Sequence, residues 1–285
     1  MNPISLNPLV SVVIPNYNYA EYLKYSIESV LDQTYKNIEL IVVDDGSTDN
    51  SVEIALSYGD KLVLLCQENS GVSAARNTGL ANISGTYVCF LDSDDSWEPE
   101  KVESQIALFN QPNIGLVYSS INICDTDLKF QNALIAQFRG NCLKYFYKFP
   151  IRSIVLLGCS TAMIHKNVIS QVGIYDIELN TSADWDYFRR ISEVTDIDFV
   201  ERPLVNYRRH NGSMSSGSLT AYYNDNELAV KKFLKKAPNS KVDRRKNLRS
   251  RICWMKFQLG AIKALLREKE ISPAIQRARR ILQIS

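Results

Sequence analysis

Long apolar runs are missing from this 285-residue chain. Its most apolar stretch, Ile154 to Ile164, covers 11 residues, against the roughly 20 that a bilayer-spanning helix requires. No basic segment followed by an apolar one opens the sequence, so the chain reads as cytoplasmic, at most peripheral at the inner face of the cytoplasmic membrane. Close cysteine pairs are missing too. Cys66, Cys89, Cys124, Cys142, Cys159 and Cys253 are widely spaced, and most fall in apolar, strand-like runs where a thiol behaves as a small hydrophobe. They read as reduced and structural. Charged residues at 22 % and apolar ones at 45 % are ordinary for a globular protein and argue against disorder. The length suits one large α/β domain with an appendage.

The first 120 or so residues alternate apolar runs with amphipathic ones, the pattern of strands crossed by helices over a mostly parallel sheet. Strands are predicted at Val10–Ile14, stopped by Pro15, then at Ile38–Val43, Leu62–Cys66, Tyr87–Leu91 and Ile114–Cys124. Helices are predicted at 21–33, 51–58, 73–81 and 100–109, the last with Pro99 at its start. Residues 125–158 show no clear period and read as loops with a short helix. A strand over Cys159–Ile164, helices over 166–172 and 185–194, and an extended return over Ile197–Tyr207 follow. Beyond the hydroxyl-rich Ser213–Ser218 the pattern is helical, at about 220–236, 243–268 and 273–283.

Polar clusters fall after the carboxyl ends of the predicted strands, where open α/β sheets bind ligands. Asp92-Ser93-Asp94-Asp95 closes the run Tyr87–Leu91. Carboxylates one residue apart at a strand exit can share a point only if a cation relieves their repulsion, and hard divalent ions favour such oxygens together with phosphates. A solvated turn is the competing reading of an isolated Asp-x-Asp. Gly71-Val72-Ser73-Ala74-Ala75-Arg76-Asn77 supplies small residues that let a helix approach a ligand closely, but the lysine of an ATPase phosphate loop is absent.

Five ordered segments carry a resemblance: Val12–Asn18, Asp44–Asp49, Gly71–Asn77, Phe90–Asp95 and Ala183–Asp186. Together they resemble the family-2 glycosyltransferases of GT-A fold, over residues 10–215. The resemblance implies a Rossmann-like, mostly parallel α/β sheet flanked by helices, with a catalytic domain over 1–218 and a basic helical extension over 219–285. A nucleotide-sugar half would span about 1–125 and an acceptor half about 126–218. It also implies a nucleotide-diphosphate sugar donor, UDP ahead of dTDP or GDP, and a glycan or lipid-linked acceptor in cell-surface polysaccharide synthesis. Mn²⁺ or Mg²⁺ is the cofactor it implies.

Residue by residue, Pro15 and Tyr17 would meet the nucleobase, and the aspartate matched by Asp45 accepts a uracil N–H in the family. Asp44 would orient the turn, and Asp49 would cap the next helix. Arg76 would either counter phosphate charge or hold Asp92. Asp94 would ligate the metal directly, with Asp92 through the ribose or a water; Ser93 lies between them on the donor side and Asp95 behind. Asp184 is the expected general base, with Asp186 its rival, although position 183 carries Ala where the family usually has Glu. Tyr207–Ser213 resembles the family's Tyr-Arg-x-His segment, so His210 would touch metal or diphosphate, and Arg208 or Arg209 would close over the phosphates. His165 is expected to be structural. Direct displacement with one base opposite the leaving group inverts the anomeric centre. A nucleotidyltransferase lacks its amino-terminal Gly-rich basic loop here; a non-catalytic sugar-nucleotide binder is the other alternative.

A net charge of +2 conceals a strong polarity, since residues 231–285 hold 17 Lys/Arg against 3 Asp/Glu and the remainder 16 against 28. Lys231, Lys232, Lys235, Lys236, Arg244, Arg245, Lys246, Arg249, Arg251, Arg277, Arg279 and Arg280 interleave with apolar side chains, the composition of a helix at an anionic lipid surface. Nucleic acid is not expected, because no recognised binding module accompanies the charges. Packing on the catalytic domain or on a second subunit, in a homo-oligomer, is the alternative use of the apolar face. Each cation near an anionic leaflet contributes about 1 kcal/mol before screening. Removing residues 231–285 should therefore abolish co-sedimentation with anionic vesicles, and undiminished binding would rule the surface role out.

Overall fold

Consecutive apolar residues form strands here because the sheet is covered on both faces. The computed structural model describes residues 7–146, 158–210, 212, 213 and 218–235, with scattered positions between 259 and 278. The first half of the chain runs β1 (Val10–Asn16), α1 (Ala20–Leu31), β2 (Ile38–Asp44), α2 (Ser51–Leu56), β3 (Val63–Cys66), α3 (Val72–Ala81) and β4 (Tyr87–Phe90). It continues through β5 (Ser96–Trp97), α4 (Lys101–Ile106), β6 (Ile114–Cys124), β7 (Phe130–Leu134), α5 (Leu143–Phe146), β8 (Met163–His165), α6 (Lys166–Val172), α7 (Ala183–Val194), β9 (Asp196–Arg208) and α8 (Leu219–Lys235).

One sheet holds all the strands, in the order β3-β2-β1-β4-β8-β6-β9-β5, with β7 paired to β6. β1 to β4 are mutually parallel where they pair, β8 runs antiparallel between β4 and β6, and β9 runs parallel to β6. The period-two alternation of side chains divides the core into two layers. Val13, Ile41, Val43, Val88, Phe90, Leu116 and Tyr118 face α3, α6, α7 and α8. Val12, Ile14, Leu40, Val42, Cys89 and Val117 face α1, α2 and α4. Close contact of α3 with β1 explains Gly79, where a Cβ would fall 2.3 Å from Val13 Cγ1.

Differences from expectation have local causes. β1 continues through Pro15, which stays in register with Val43. The strand expected over Cys159–Ile164 is a 3-10 turn over Cys159–Thr161 followed by β8. Its first residues turn because their side chains bond out of the sheet, Cys159 to Asp184 and Ser160 to Asp95. β7 went unseen because Phe130, Gln131 and Asn132 are exposed and show no alternation. It returns along β6 through an Asx turn in which Asp125 Oδ1 accepts Asp127 N (3.0 Å) and Lys129 N (2.9 Å). His165 is structural, accepting Asn167 N on Nδ1 at the start of α6 (3.1 Å). The expected helix at 220–236 is α8; the scattered positions described within 243–268 and 273–283 are helical, while the rest of those two stretches and most of Ser213–Ser218 lie outside the described residues.

Not all of the core is apolar. Lys101 is wholly buried beneath the sheet, with Nζ 3.7 Å from the Trp97 ring centroid and 2.7 Å from Gln105 Oε1. Burial lowers its pKa to about 8. The unfolded chain then binds the extra proton between about pH 8 and the ordinary lysine value of about 10.4, so stability rises with pH through that window. In Lys101→Met this contribution should vanish. The stability difference between parent and variant should change by up to about 1.4 kcal/mol per pH unit across it, measured by urea unfolding from pH 7 to 10. Parallel curves would show that Lys101 keeps its ordinary affinity for protons.

Candidate active site

The exits of β1 and β2 are laced together by side chains that replace missing backbone pairs. Asn16 Nδ2 donates to Asp44 Oδ1 (3.1 Å) and Ser47 Oγ (3.2 Å), and Ser47 N donates to Asp44 Oδ2 (2.9 Å). Asn18, at φ 55, accepts Thr48 N (2.7 Å). Asp44 thus orients the turn, and Asp49 joins two helix starts by accepting Ala20 N (2.9 Å) and Ser51 N (3.0 Å). Tyr17 stands 44 % exposed at this rim, while Pro15 is buried in the strand. Asp45 is buried and turned toward its own loop: Oδ1 accepts Gln67 Nε2 (2.7 Å) and Ser70 N (2.9 Å), and Oδ2 accepts Gly71 N (2.8 Å). These bonds fix the approach to α3, so Asp45 shapes the site through the 67–71 loop instead of presenting an open carboxylate.

The acidic turn after β4 is held from three directions. Antiparallel pairing sets Cys89 opposite Met163, so the residues before β8 lie beside the residues after β4. Asp92 N donates to Ser160 Oγ (3.1 Å), and Ser160 Oγ donates to Asp95 Oδ2 (2.7 Å). β5 pairs with β9 and brings Arg208, whose N–H reaches Asp95 Oδ1 (3.1 Å) and whose Nε reaches Asp94 O (2.8 Å). From α1, Ser26 Oγ donates to Ser93 O (2.7 Å) and Asp95 O (2.9 Å). Ser93 is itself buried and supports the turn from within. Burial and then the charges of Asp94 and Asp92 push Asp95 well above the usual carboxylate range. Asp94 is raised by burial and by Asp92, against the lowering effect of His210.

Arg76 joins this turn to α7. Its guanidinium, only 4 % exposed, donates from Nη2 to Asp92 Oδ1 (2.7 Å) and from Nη1 to Asp184 Oδ1 (2.9 Å), with the Tyr175 ring 5.4 Å away. Burial alone would lower its pKa, but the neighbouring Cys159, Asp184 and Asp92 outweigh it and hold the cation firmly. Of the two roles expected for Arg76, holding Asp92 is the one observed, extended to Asp184. The Cys159 thiol donates to the same Asp184 Oδ1 (3.0 Å) and lies 2.9 Å from Tyr175 Oη. Asp184 Oδ2 faces Gly158, where a Cβ would come within 2.9 Å. At φ +103, Gly158 occupies a conformation that favours glycine and leaves this side of the carboxylate open.

Other expected residues divide. Asp186 is excluded as the base, since it is buried in ion pairs with Arg189 (3.1 Å) and Arg190 (2.8 Å) away from Asp184. Arg208 is not a closing residue: it is buried, bonded to Asp94 O and Thr126 O, and stacked 4.6 Å from the Tyr22 ring centroid. Arg209 is exposed. His210 does reach the turn, with Nε2 3.0 Å from Asp94 Oδ2 and its ring against Tyr19 and Tyr22. Burial and the charges of Asp94 and Asp92 push Tyr19 up to about 12. Among the described residues no three His, Cys, Asp or Glu side chains could hold a metal ion by themselves. Gly158, Cys159 and Ser160 were missed, and no sequence signal marks them: each reaches the site through space.

Comparison with known proteins gives this arrangement a context. A family model described as "Glycosyl transferase family 2" matches residues 11–173. An uncharacterized glycosyltransferase of Rickettsia typhi, RT0329, is 34 % identical over 242 residues, 83 % of this chain and 74 % of that protein. A putative teichuronic acid biosynthesis glycosyltransferase of Bacillus subtilis, TuaG, is 31 % identical over 75 % of this chain and 84 % of its own length. Among solved structures, S. aureus TarS 1-349 in complex with UDP-GlcNAc superposes with a TM-score of 0.66 at 17 % identity, over 96 % of this chain and 92 % of that one. The Pyrobaculum calidifontis mannosyltransferase PcManGT in complex with GDP-Man and Mn²⁺ superposes at 0.63 and 16 % identity, over 99 % and 77 %. The curled, helix-flanked sheet is the GT-A architecture.

Removing one member of a buried ion network leaves the others uncompensated, at a cost of about 3–5 kcal/mol. Arg76→Met should show a loss of that order at pH 7 in chemical unfolding. The deficit should shrink at acidic pH, as the stranded carboxylates take up protons. A pH-independent deficit would assign the loss to packing alone.

Proposed function

Because the chain belongs to glycosyl transferase family 2, we propose that it is an inverting enzyme that moves a sugar from a nucleoside-diphosphate donor, UDP first, to a hydroxyl of a glycan or lipid-linked acceptor. The observation that carries the reading is the Arg76 bridge: one buried guanidinium spans Asp92 and Asp184 at 2.7 and 2.9 Å, which supports a donor-side acid and a base acting side by side. The sugar nucleotides in the TarS and PcManGT complexes support the donor class, and the teichuronic acid biosynthesis for which TuaG is named supports a cell-surface polymer as product.

In this reading Asp184 acts through Oδ2, since Oδ1 is engaged by Arg76 and Cys159. It takes the acceptor hydroxyl's proton as that oxygen attacks the anomeric carbon. The new C–O bond forms on the face opposite the breaking sugar–phosphate bond, the electron pair of that bond leaves with the nucleoside diphosphate, and the configuration inverts. Tyr17 offers an exposed ring to the nucleobase, and the loop held by Asp45 backs it. The crowding of Asp92, Asp94 and Asp95, with Asp94 raised by burial and by Asp92, and Asp95 raised well above its ordinary value, fits a site built for a divalent cation. Asp94, with Asp92 and His210 beside it, would hold Mn²⁺ or Mg²⁺ together with phosphate oxygens. When bound, the ion neutralises charge on the departing diphosphate. Residues 1–125 would serve the donor and 126–218 the acceptor, with His210 returning to the donor side.

A panel of UDP-N-acetylglucosamine, UDP-glucose, UDP-galactose, dTDP-glucose and GDP-mannose, with and without Mn²⁺, should reveal a donor by nucleotide release and thermal shift. Asp184→Asn should keep donor binding and lose turnover by about 10²- to 10⁴-fold. Asp94→Asn should lose the Mn²⁺-stimulated part of binding. Full turnover by Asp184→Asn would remove it from the mechanism.

A further inference from the structure

The 174–182 loop leads directly into Asp184 and is gripped from both sides. On the α3 side, Ser73 Oγ donates to Leu179 O (2.8 Å), while Asn77 Nδ2 donates to Tyr175 O (2.9 Å) and its Oδ1 accepts Tyr175 N (2.8 Å). On the α8 side, a single carboxylate gathers four donors. Asp225 Oδ2 accepts Ser182 N (2.7 Å), Ser182 Oγ (2.6 Å), Thr181 Oγ1 (3.1 Å) and Asn180 N (3.2 Å). Seven residues on, Lys232 Nζ bonds Asp176 Oδ2 (2.6 Å) and pairs with Glu178. The loop carries one group that touches the partners of the base, Tyr175 against Arg76 and Cys159, and ends at Ser182, which precedes α7.

Behind α8 stands Arg277. It is 2 % exposed, donates to Glu227 Oε2 (3.1 Å) and to Asn224 Oδ1 (2.8 Å), and so braces the turn that bears Asp225. Contacts thus run unbroken from Arg277 through Asn224 and Glu227 on α8 to Asp225, then to residues 180–182 and Asp184. Charge-assisted bonds of this kind are shorter and stronger than neutral ones, and a carboxylate at a helix start is favoured by the helix dipole.

We propose that α8 is a clasp that positions the catalytic base, with Asp225 as its positioning residue, so that the basic carboxyl-terminal segment is part of the catalytic unit. The proposal rests on Asp184 being the base. Donor binding draws on β1, β2 and the acidic turn, none of which Asp225 touches, so the clasp governs turnover and leaves donor affinity alone. A misplacement of the base near 1 Å costs up to about 100-fold in rate.

The test compares the full-length parent chain with Asp225→Asn, Asp225→Glu and the double variant Thr181→Ala/Ser182→Ala, with Asp184→Asn in parallel. UDP-N-acetylglucosamine with Mn²⁺ is the donor probe, read as UDP release, and free UDP with Mn²⁺ is the binding probe, read by thermal shift. Amide hydrogen exchange is followed over residues 174–186. Asp225→Asn and the double variant should lose about 10- to 100-fold in kcat, with unchanged donor KM and UDP shift. Exchange should rise at 180–186 and stay level in β1 and β4. Asp225→Glu should recover part of the rate. Parental kcat in Asp225→Asn, or loss of the UDP shift along with kcat, would overturn the clasp. If Asp225→Asn does not fold, the double variant decides from the loop side. Parental turnover by Asp184→Asn would defeat the base assignment instead, and the exchange data would then decide whether α8 holds the loop.

Discussion

Arg76 is the constraint on which the site is built. A guanidinium cannot shed its charge, so burying one demands anions close by. Here the anions are Asp92 from the exit of β4 and Asp184 from the start of α7, 92 positions apart in the chain and drawn to one cation. Tyr175 adds its ring face, and the Cys159 thiol completes the coordination of Asp184 Oδ1. Two consequences follow. Asp184 is left with one open oxygen, on the side where Gly158 carries no side chain. The acidic turn, by contrast, gathers three carboxylates: Asp92 pairs with Arg76, Asp94 lies beside His210, and Asp95 accepts from Ser160 and from the backbone of Arg208, whose guanidinium bonds the Asp94 carbonyl.

The cleft forms where the sheet changes direction. From β3 to β4 the strands run parallel, and their polar exits gather along one edge, as the crevice of an open α/β sheet requires. Reversal at β8 delivers the 158–160 turn to that edge, and the parallel return of β9 beside β6 delivers Arg208 and His210. The partners that these two segments bring to the acidic turn lie 65 to 116 positions away in sequence. Asp95 ties them together by accepting from Ser160 and from the Arg208 backbone. Its carboxylate is internal structure, and Asp94 is the one left facing His210.

How much of this could be read from residues alone depends on the range of the interaction. Strand exits were legible because apolar runs ending on Asp44 or Asp92 carry their own punctuation, whereas Pro15 marked an exit that β1 passes through, and the period of α7 set Asp184 and Asp186 on different sides. Roles fixed through space were not. Arg208 looked like a mobile cation until β9 buried it against Tyr22, and Asp45 looked like an open acceptor until the 67–71 loop folded onto it. Gly158, Cys159 and Asp225 gave no signal, since a small residue, a thiol and a helix-face carboxylate are each common in purely structural places.

The basic extension meets part of its charge within the molecule. A net excess of 14 positive charges over residues 231–285 reads as a surface awaiting an anionic partner. Yet three of its described cations pair with carboxylates of this chain: Lys231 with Glu227, Lys232 with Asp176 and Glu178, and Arg277 with Glu227. These pairs discharge part of the excess against the acidic remainder of the molecule and fasten α8 to the loop before Asp184. Cations that hold α8 in place are not free to face a lipid leaflet as well. Any surface role must then draw on the other cations of the segment, while Lys232 and Arg277 belong to the scaffold of the cleft.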